Sequence, residues 1–281
     1  MLSYRHAFHA GNHADVLKHC IVVHLLRYLA QKDKAFWYID THAGAGAYAL
    51  HESYAQKRLE FETGIARLWK RTDLPAPLTD YLNAVRALNP DGELRFYPGS
   101  PYLAWQTLRE QDRMRLFEKH TTEIDVLRSN FRDAGRRAVI AGDDGFEGIK
   151  ALLPPPPRRA LTLIDPSYED KRDYARTLGC IDECLRRFAT GVYAIWYPQV
   201  ARPEAQRFPA QLKRLRQTRW LHVALSVSAA PKDGFGLYGS GMLVINPPYT
   251  LTAALRETVP LLVDALGTDR HARFVLESTH D

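Results

Sequence analysis

Cysteine is scarce. Cys20, Cys180 and Cys184 are the three in 281 residues, none in a CxxC pair, and the odd count fits reduced thiols better than a disulfide framework or a zinc knot. Long apolar runs are missing too: no stretch approaches the roughly 18 residues that span a bilayer. The first twenty residues carry Arg5, Lys18 and four histidines where a signal peptide needs unbroken apolar residues. Membrane and secreted proteins are therefore not expected, and a cytoplasmic one is. There is no basic tail, low-complexity tract or internal repeat. Apolar residues at 46% and aromatics at 11% exclude a disordered chain and supply one sizeable core with a satellite. The net charge of +6 is dispersed apart from Lys213, Arg214, Arg216 and Arg219. That balance suits a polyanionic partner such as nucleic acid, and equally an ordinary solvated surface.

Seven short apolar segments read as buried strands: Ala35–Asp40, Met114–Glu118, Arg137–Ala141, Ala160–Asp165, Val192–Tyr197, Leu221–Ser228 and Gly241–Asn246. Most are separated by enough residues for a helix, which predicts an α/β fold with a mostly parallel sheet. The last two are joined by a glycine-containing loop (Gly234, Gly236, Gly239) with no crossover helix, which predicts an antiparallel hairpin. Five alternating strands followed by such a hairpin form the pattern of the Rossmann-like class I methyltransferase fold. An amphipathic helix over Ala14–Ala30, capped by Asn12, precedes the sheet. Two helical stretches near Phe61–Lys70 and Leu78–Leu88, punctuated by Pro75, Pro77 and Pro90, read as a helical subdomain inserted at residues 51–96. Residues 1–50 and 97–281 then form the main domain.

Asp40-Thr41-His42-Ala43-Gly44-Ala45-Gly46 closes the first strand with a GxG turn, where glycine lets the backbone approach a ligand. An ordinary strand-to-helix turn has the same look. In dinucleotide folds an acidic residue about twenty positions on binds ribose hydroxyls, yet the best candidate, Glu118, lies much farther away. The insertion resolves this: if the first sheet-covering helix starts at Ser100, the interval from Gly99 to Glu118 is the expected one, and Ser100 stands at a helix N-terminus beside the ligand. Asp143-Asp144-Gly145 after the third strand offers a carboxylate to an exocyclic amine such as that of adenine, or a helix cap, or both. Ile164-Asp165-Pro166-Ser167-Tyr168 after the fourth strand suits methylation of an exocyclic amino nitrogen. Such a nitrogen is a poor nucleophile, and Asp165 and the Pro166 carbonyl can accept its hydrogens while Tyr168 stacks on the base. Asn246-Pro247-Pro248-Tyr249 matches that pattern more fully, but it follows an antiparallel strand whose carboxyl end points to the opposite edge, so it is expected to be a decoy. His6, His9, His13 and His19 are too irregularly spaced to suggest a metal site. Tyr4, Arg5 and His6 offer stacking and charge to nucleic acid, or are simply a solvated terminus.

Taken together, Met1–His6, Gly11–His19, Asp40–Gly46, Tyr97–Pro101 and Ile164–Tyr168 resemble the RlmJ family of bacterial 23S ribosomal RNA adenine-N6 methyltransferases, over nearly the whole chain. The resemblance implies S-adenosylmethionine as donor, held by Lys18, His19, His42, Gly44, Ser100, Glu118, Asp144 and Gly145. It implies Asp165 as the catalytic residue, with Pro166 and Tyr168 in the same turn, Tyr4 as a contact to 23S ribosomal RNA, no metal, and a monomer. Ser167 stands where the family usually has proline. The alternatives are a DNA adenine-N6 or protein-glutamine methyltransferase, or a donor-sensing RNA-binding protein without catalysis.

Overall fold

The computed structural model describes residues 6–50, 59–215, 219–231 and 236–279. Helix α1 (His13–Ala30) begins where the Asn12 carboxamide oxygen accepts from the backbone N–H groups of Ala14 and Asp15 with the cap residue extended, as the sequence predicts. The chain then runs through β1 (Trp37–Asp40), β2 (Ala47–Ala49), α2 (Ala66–Trp69), α3 (Ala76–Arg86), β3 (Phe96–Pro98) and α4 (Ser100–Thr107). Next come β4 (Arg113–Phe117), α5 (Thr121–Asn130), β5 (Ala138–Ala141), α6 (Gly145–Gly148), β6 (Ala160–Ile164), α7 (Arg172–Arg187) and β7 (Val192–Gln199). The last elements are α8 (Pro203–Lys213), β8 (Trp220–Ser226), β9 (Gly239–Ile245), α9 (Thr250–Leu266) and β10 (Arg273–Ser278).

Eight of these strands form one sheet in the order β10-β8-β9-β7-β6-β1-β4-β5. Strands β5, β4, β1, β6 and β7 are parallel, whereas β9 is antiparallel to both β7 and β8. This is the class I methyltransferase arrangement, and all seven strands read from the sequence are in it. The chain order forces it. Right-handed crossovers carry β1 to β4 to β5 outward on one side and β6 to β7 on the other, and the short link from β8 to β9 leaves only an antiparallel return.

Each face of the sheet carries its own core. Tyr38, Met114, Leu116, Leu161, Leu163 and Ala194 pack on the side of α1, α3, α4 and α9, while Ile39, Phe117, Ile164, Tyr193 and Ile195 pack on the side of α6, α7 and α8. Alternation along each strand, with both faces covered, explains why the segments read as nearly continuous apolar runs. Among the described residues no helix is long and apolar enough to cross a membrane.

Three strands were not expected. β10 adds an antiparallel edge beside β8, and β2 and β3 form a two-stranded ribbon with Ala47 opposite Pro98. In that ribbon the Gly99 N–H donates to the Gly46 carbonyl at 2.8 Å, so the chain at Gly99 returns beside the glycine turn. Residues 51–58, where the insertion was expected to begin, lie outside the described residues, as do Arg216 and Gly234. Phe61, Ile65, Leu68, Leu78, Tyr81, Leu82 and Val85 pack into the same core as α1, so among the described residues α2 and α3 extend the main core.

Candidate active site

Strands β1, β4, β6 and β7 end at a cavity of about 860 Å³, walled also by the first turns of α1, α4 and α6. At the end of β1, Asp40 is fully buried and accepts from the Tyr38 hydroxyl, the Ser100 hydroxyl and the His42 N–H at 2.7, 2.7 and 3.1 Å. Burial raises its pKa, and these three donors oppose that rise. Asp40 thereby fastens the glycine turn to the start of α4, which holds Ser100 where the sequence predicts. His42 sits in the turn with Nδ1 2.8 Å from the Thr41 hydroxyl and its ring against Phe146. Burial pushes its pKa down to about 3, so the imidazole is neutral.

Gly44 is in the left-handed region at φ 62°, and a Cβ there would stand 2.3 Å from the Tyr48 hydroxyl oxygen. Its N–H donates to Glu118 at 2.8 Å, while the other Glu118 oxygen accepts from His120 N–H at 2.7 Å. Glu118 therefore stands at the tip of β4 facing the glycine turn, as expected from the interval counted from Gly99. In the same wall Nδ1 of His120 and an oxygen of Glu123 are buried without a hydrogen-bond partner among the described residues. Gly145 meets the turn from the other side: a Cβ on it would lie 2.0 Å from the Thr41 carbonyl oxygen. Asp144 caps α6 through the Phe146 N–H and pairs with Arg176 at 2.5 Å. The cap reading of Asp144 is thus what the structure shows, with Arg176 as a partner that sequence reasoning missed; Asp143 also lines the wall, exposed.

On the opposite wall, Lys18 bridges two carboxylates, Asp15 at 2.9 Å and Asp165 at 2.6 Å. Asp15 also accepts from the Gly11 N–H and faces His6 Nε2 at 2.9 Å. Burial opposes charge on both members, yet the carboxylates hold Lys18 well above the usual lysine range, and His6 and Lys18 hold Asp15 well below the usual aspartate range. Sequence reasoning gives Asp15 no role of its own, although it lies in the Gly11–His19 run and three residues before Lys18 on one helix face. His19 is buried, with Nδ1 2.8 Å from the Tyr97 hydroxyl oxygen and its pKa driven by burial to about 3. Asp165 is 13% exposed at the tip of β6, and burial raises its pKa to about 6 against the pull of Lys18. Pro166 and Ser167 continue the wall.

Tyr168 departs from the expectation. It reaches the cavity wall, but at φ 53° its ring turns into the α7–α8 core beside Tyr174 and Phe208, 2% exposed, and its hydroxyl donates to the Trp196 carbonyl at 2.8 Å. Its faces are covered, so in this structure it offers no stacking surface. Asn246 is at the other end of the sheet, outside the cavity, where its carboxamide donates to the carbonyls of Ala189 and Gly191. Tyr4 and Arg5 lie outside the described residues. Among the described residues no three His, Cys, Asp or Glu side chains are grouped to hold a metal ion.

Lys18, His19, His42, Gly44, Ser100, Glu118, Asp144, Gly145, Asp165 and Pro166 thus share one cavity. A family model described as RsmJ, "Ribosomal RNA large subunit methyltransferase D, RlmJ", matches residues 33–276. The ribosomal RNA large subunit methyltransferase J of Escherichia coli strain K12 is 47% identical over 262 residues, 93% of each chain. Its namesake in Haemophilus influenzae strain Rd is 46% identical over 278 residues, covering 99% of this chain and 98% of that one. A crystal structure of a Legionella pneumophila protein, 34% identical, covers 96% of this chain and 98% of its own with a TM-score of 0.88.

Proposed function

The chain belongs to the RsmJ family of ribosomal RNA large subunit methyltransferases, and from that membership we propose that it methylates N6 of an adenine in 23S ribosomal RNA, with S-adenosylmethionine as donor. One observation carries the reading: β1 and β6 are adjacent and in register, Asp40 opposite Leu163, so the glycine turn and Asp165 stand side by side at the centre of the sheet. When bound, the donor supplies an electrophilic methyl group on a sulfonium. The residues around Gly44 suit it: a carboxylate at the tip of β4 for ribose hydroxyls, a neutral His42, the capping Asp144 for an amine, and buried polar atoms still lacking partners.

Adenine N6 has its lone pair delocalised into the ring. Asp165 accepts one hydrogen of the amine and the Pro166 carbonyl the other, which lets the nitrogen pyramidalise and turn its lone pair toward the methyl group. Lys18 keeps the Asp165 carboxylate oriented and charged. The base must leave its stack to enter the cavity, and the RNA backbone stays outside. Incubating labelled donor with 23S ribosomal RNA, duplex DNA and a glutamine-bearing release factor tests the reading. Label recovered as N6-methyladenosine from the RNA alone is expected; label in DNA or protein instead overturns it.

The protonation of Asp165 gives a pH dependence. Burial raises the carboxyl to about 6, so the accepting carboxylate is lost as the pH falls through that value. The single-turnover rate is expected to be level above about pH 7 and to fall about tenfold per unit below pH 6. A flat profile down to pH 5 would mean that Asp165 does not act as the acceptor.

The decoy turn gives the converse. Asn246→Ala removes two hydrogen bonds and leaves alanine at φ 53°. Stability is expected to fall by about 2 kcal/mol, with the methylation rate of the folded enzyme unchanged. Thermal melting and a rate measured well below the melting point check both halves.

A further inference from the structure

The burial of Tyr168 leaves the target base without the aromatic face the turn was expected to supply, and another residue stands where that face is needed. Trp196 lies on β7 at the parity of Ala194, whose face carries α1, and its half-buried side chain packs against both cores at the mouth of the cavity. Its ring contributes to the cavity wall, with the Lys18 ammonium 5.7 Å from its centroid and Tyr168 behind it at 6.1 Å. Lys18 is in turn 2.6 Å from Asp165, so the indole is one side chain away from the proposed acceptor. The ring is half-buried, whereas the indole N–H is buried and has no acceptor among the described residues. Buried donors are nearly always satisfied, and a lone one in the wall of a ligand cavity points to an acceptor that arrives with the ligand.

We propose that Trp196 is the platform on which the target adenine rests, its ring against the base and its N–H donating to the incoming nucleotide. The inference rests on the proposed adenine methylation. Parity along the strands explains the exchange of roles. The Asp165 turn sends Tyr168 through to the α7–α8 side, while the even positions of β7 point to the α1 side, where Lys18 and Asp165 meet. A purine entering there stacks on the part of the indole that faces the cavity, beside the Lys18 ammonium, which stays on its two carboxylates.

The test uses the full chain and unmodified 23S ribosomal RNA, with free adenosine as a second probe. Stacking of a base on an aromatic side chain predicts that Trp196→Leu raises KM for RNA about tenfold to a hundredfold. Trp196→Phe, which keeps a ring and loses the N–H, is expected to raise it less than tenfold, with kcat and donor affinity close to wild type in both. Adenosine is expected to quench tryptophan fluorescence of the wild type, and the quench is expected to disappear in Trp196→Phe. Wild-type KM in Trp196→Leu, or a quench that persists in Trp196→Phe, overturns the proposal; if Trp196→Leu does not fold, the fluorescence of Trp196→Phe decides alone. Failure of the wild type to methylate RNA is a separate result, which counts against the proposed reaction.

Discussion

Asp165→Ala is expected to lower the single-turnover rate of methyl transfer at least about 10³-fold while changing the affinity for S-adenosylhomocysteine by less than about threefold. The size follows from the work the carboxylate does. Removing one preorganised hydrogen-bond partner of a developing charge typically costs 10²–10³-fold, and Asp165 is both a partner and the better acceptor of the two in its turn. The separation of rate from affinity follows from position: Asp165 follows β6, and the residues assigned to the donor lie on α1, in the turn after β1, at the tip of β4 and at the starts of α4 and α6. Lys18 keeps a counter-charge in the variant, because Asp15 remains 2.9 Å from it, so the wall need not collapse. Asp165→Asn sharpens the test by keeping the shape and a neutral acceptor oxygen while removing the charge, so it is expected to lose less activity than Asp165→Ala. A rate within tenfold of wild type in Asp165→Ala would remove Asp165 from the mechanism.

Gly145→Ala should produce the opposite pattern, a loss of donor affinity of about a hundredfold or more with the rate at saturating donor less affected. The added Cβ would lie 2.0 Å from the Thr41 carbonyl oxygen, 2.7 Å from its carbonyl carbon and 2.8 Å from its Cα. All three are backbone atoms, so no side chain can swing aside. Helix α6 must back away from the turn that carries His42 and Gly44, which separates two walls of the donor site. Overpacking of this kind also lowers stability by about 1–3 kcal/mol. Calorimetric titration with S-adenosylhomocysteine reads the first effect and thermal melting the second. Gly179→Ala on α7 is the control: a Cβ there meets nothing within 4 Å, so alanine should leave affinity alone and raise the melting point slightly. Wild-type affinity in Gly145→Ala would show that the two walls do not act together on the donor.

The features that sequence reasoning reached are those fixed by chain order and strand ends. Asp165 and Asn246 carry similar motifs, yet strand direction alone assigns them to opposite ends of the sheet, as found. Glu118 could be placed by counting from Gly99 because the Gly46–Gly99 bond puts Gly99 beside the glycine turn. What escaped was side-chain direction. Tyr168 follows the catalytic turn at positive φ, and a single backbone angle of that kind sends a ring to the other face of the sheet. Asp15 is given no role and Trp196 carries no motif, since what makes them relevant is contact with Lys18, which reaches Asp165 across 147 positions of chain. The ribbon β2–β3 is too short to show alternation, and β10 is a half-exposed edge whose Phe274 and Val275 face water.

The strand order has one more consequence. The two strands that carry the glycine turn and Asp165 have neighbours on both sides, and the sheet ends only at β5 and β10. Fraying begins at a rim, where backbone hydrogen bonds are lost to water first. Peeling off either rim strand would leave the ladder between β1 and β6 whole, so the distance between the reacting groups is held by the part of the molecule that breathes least.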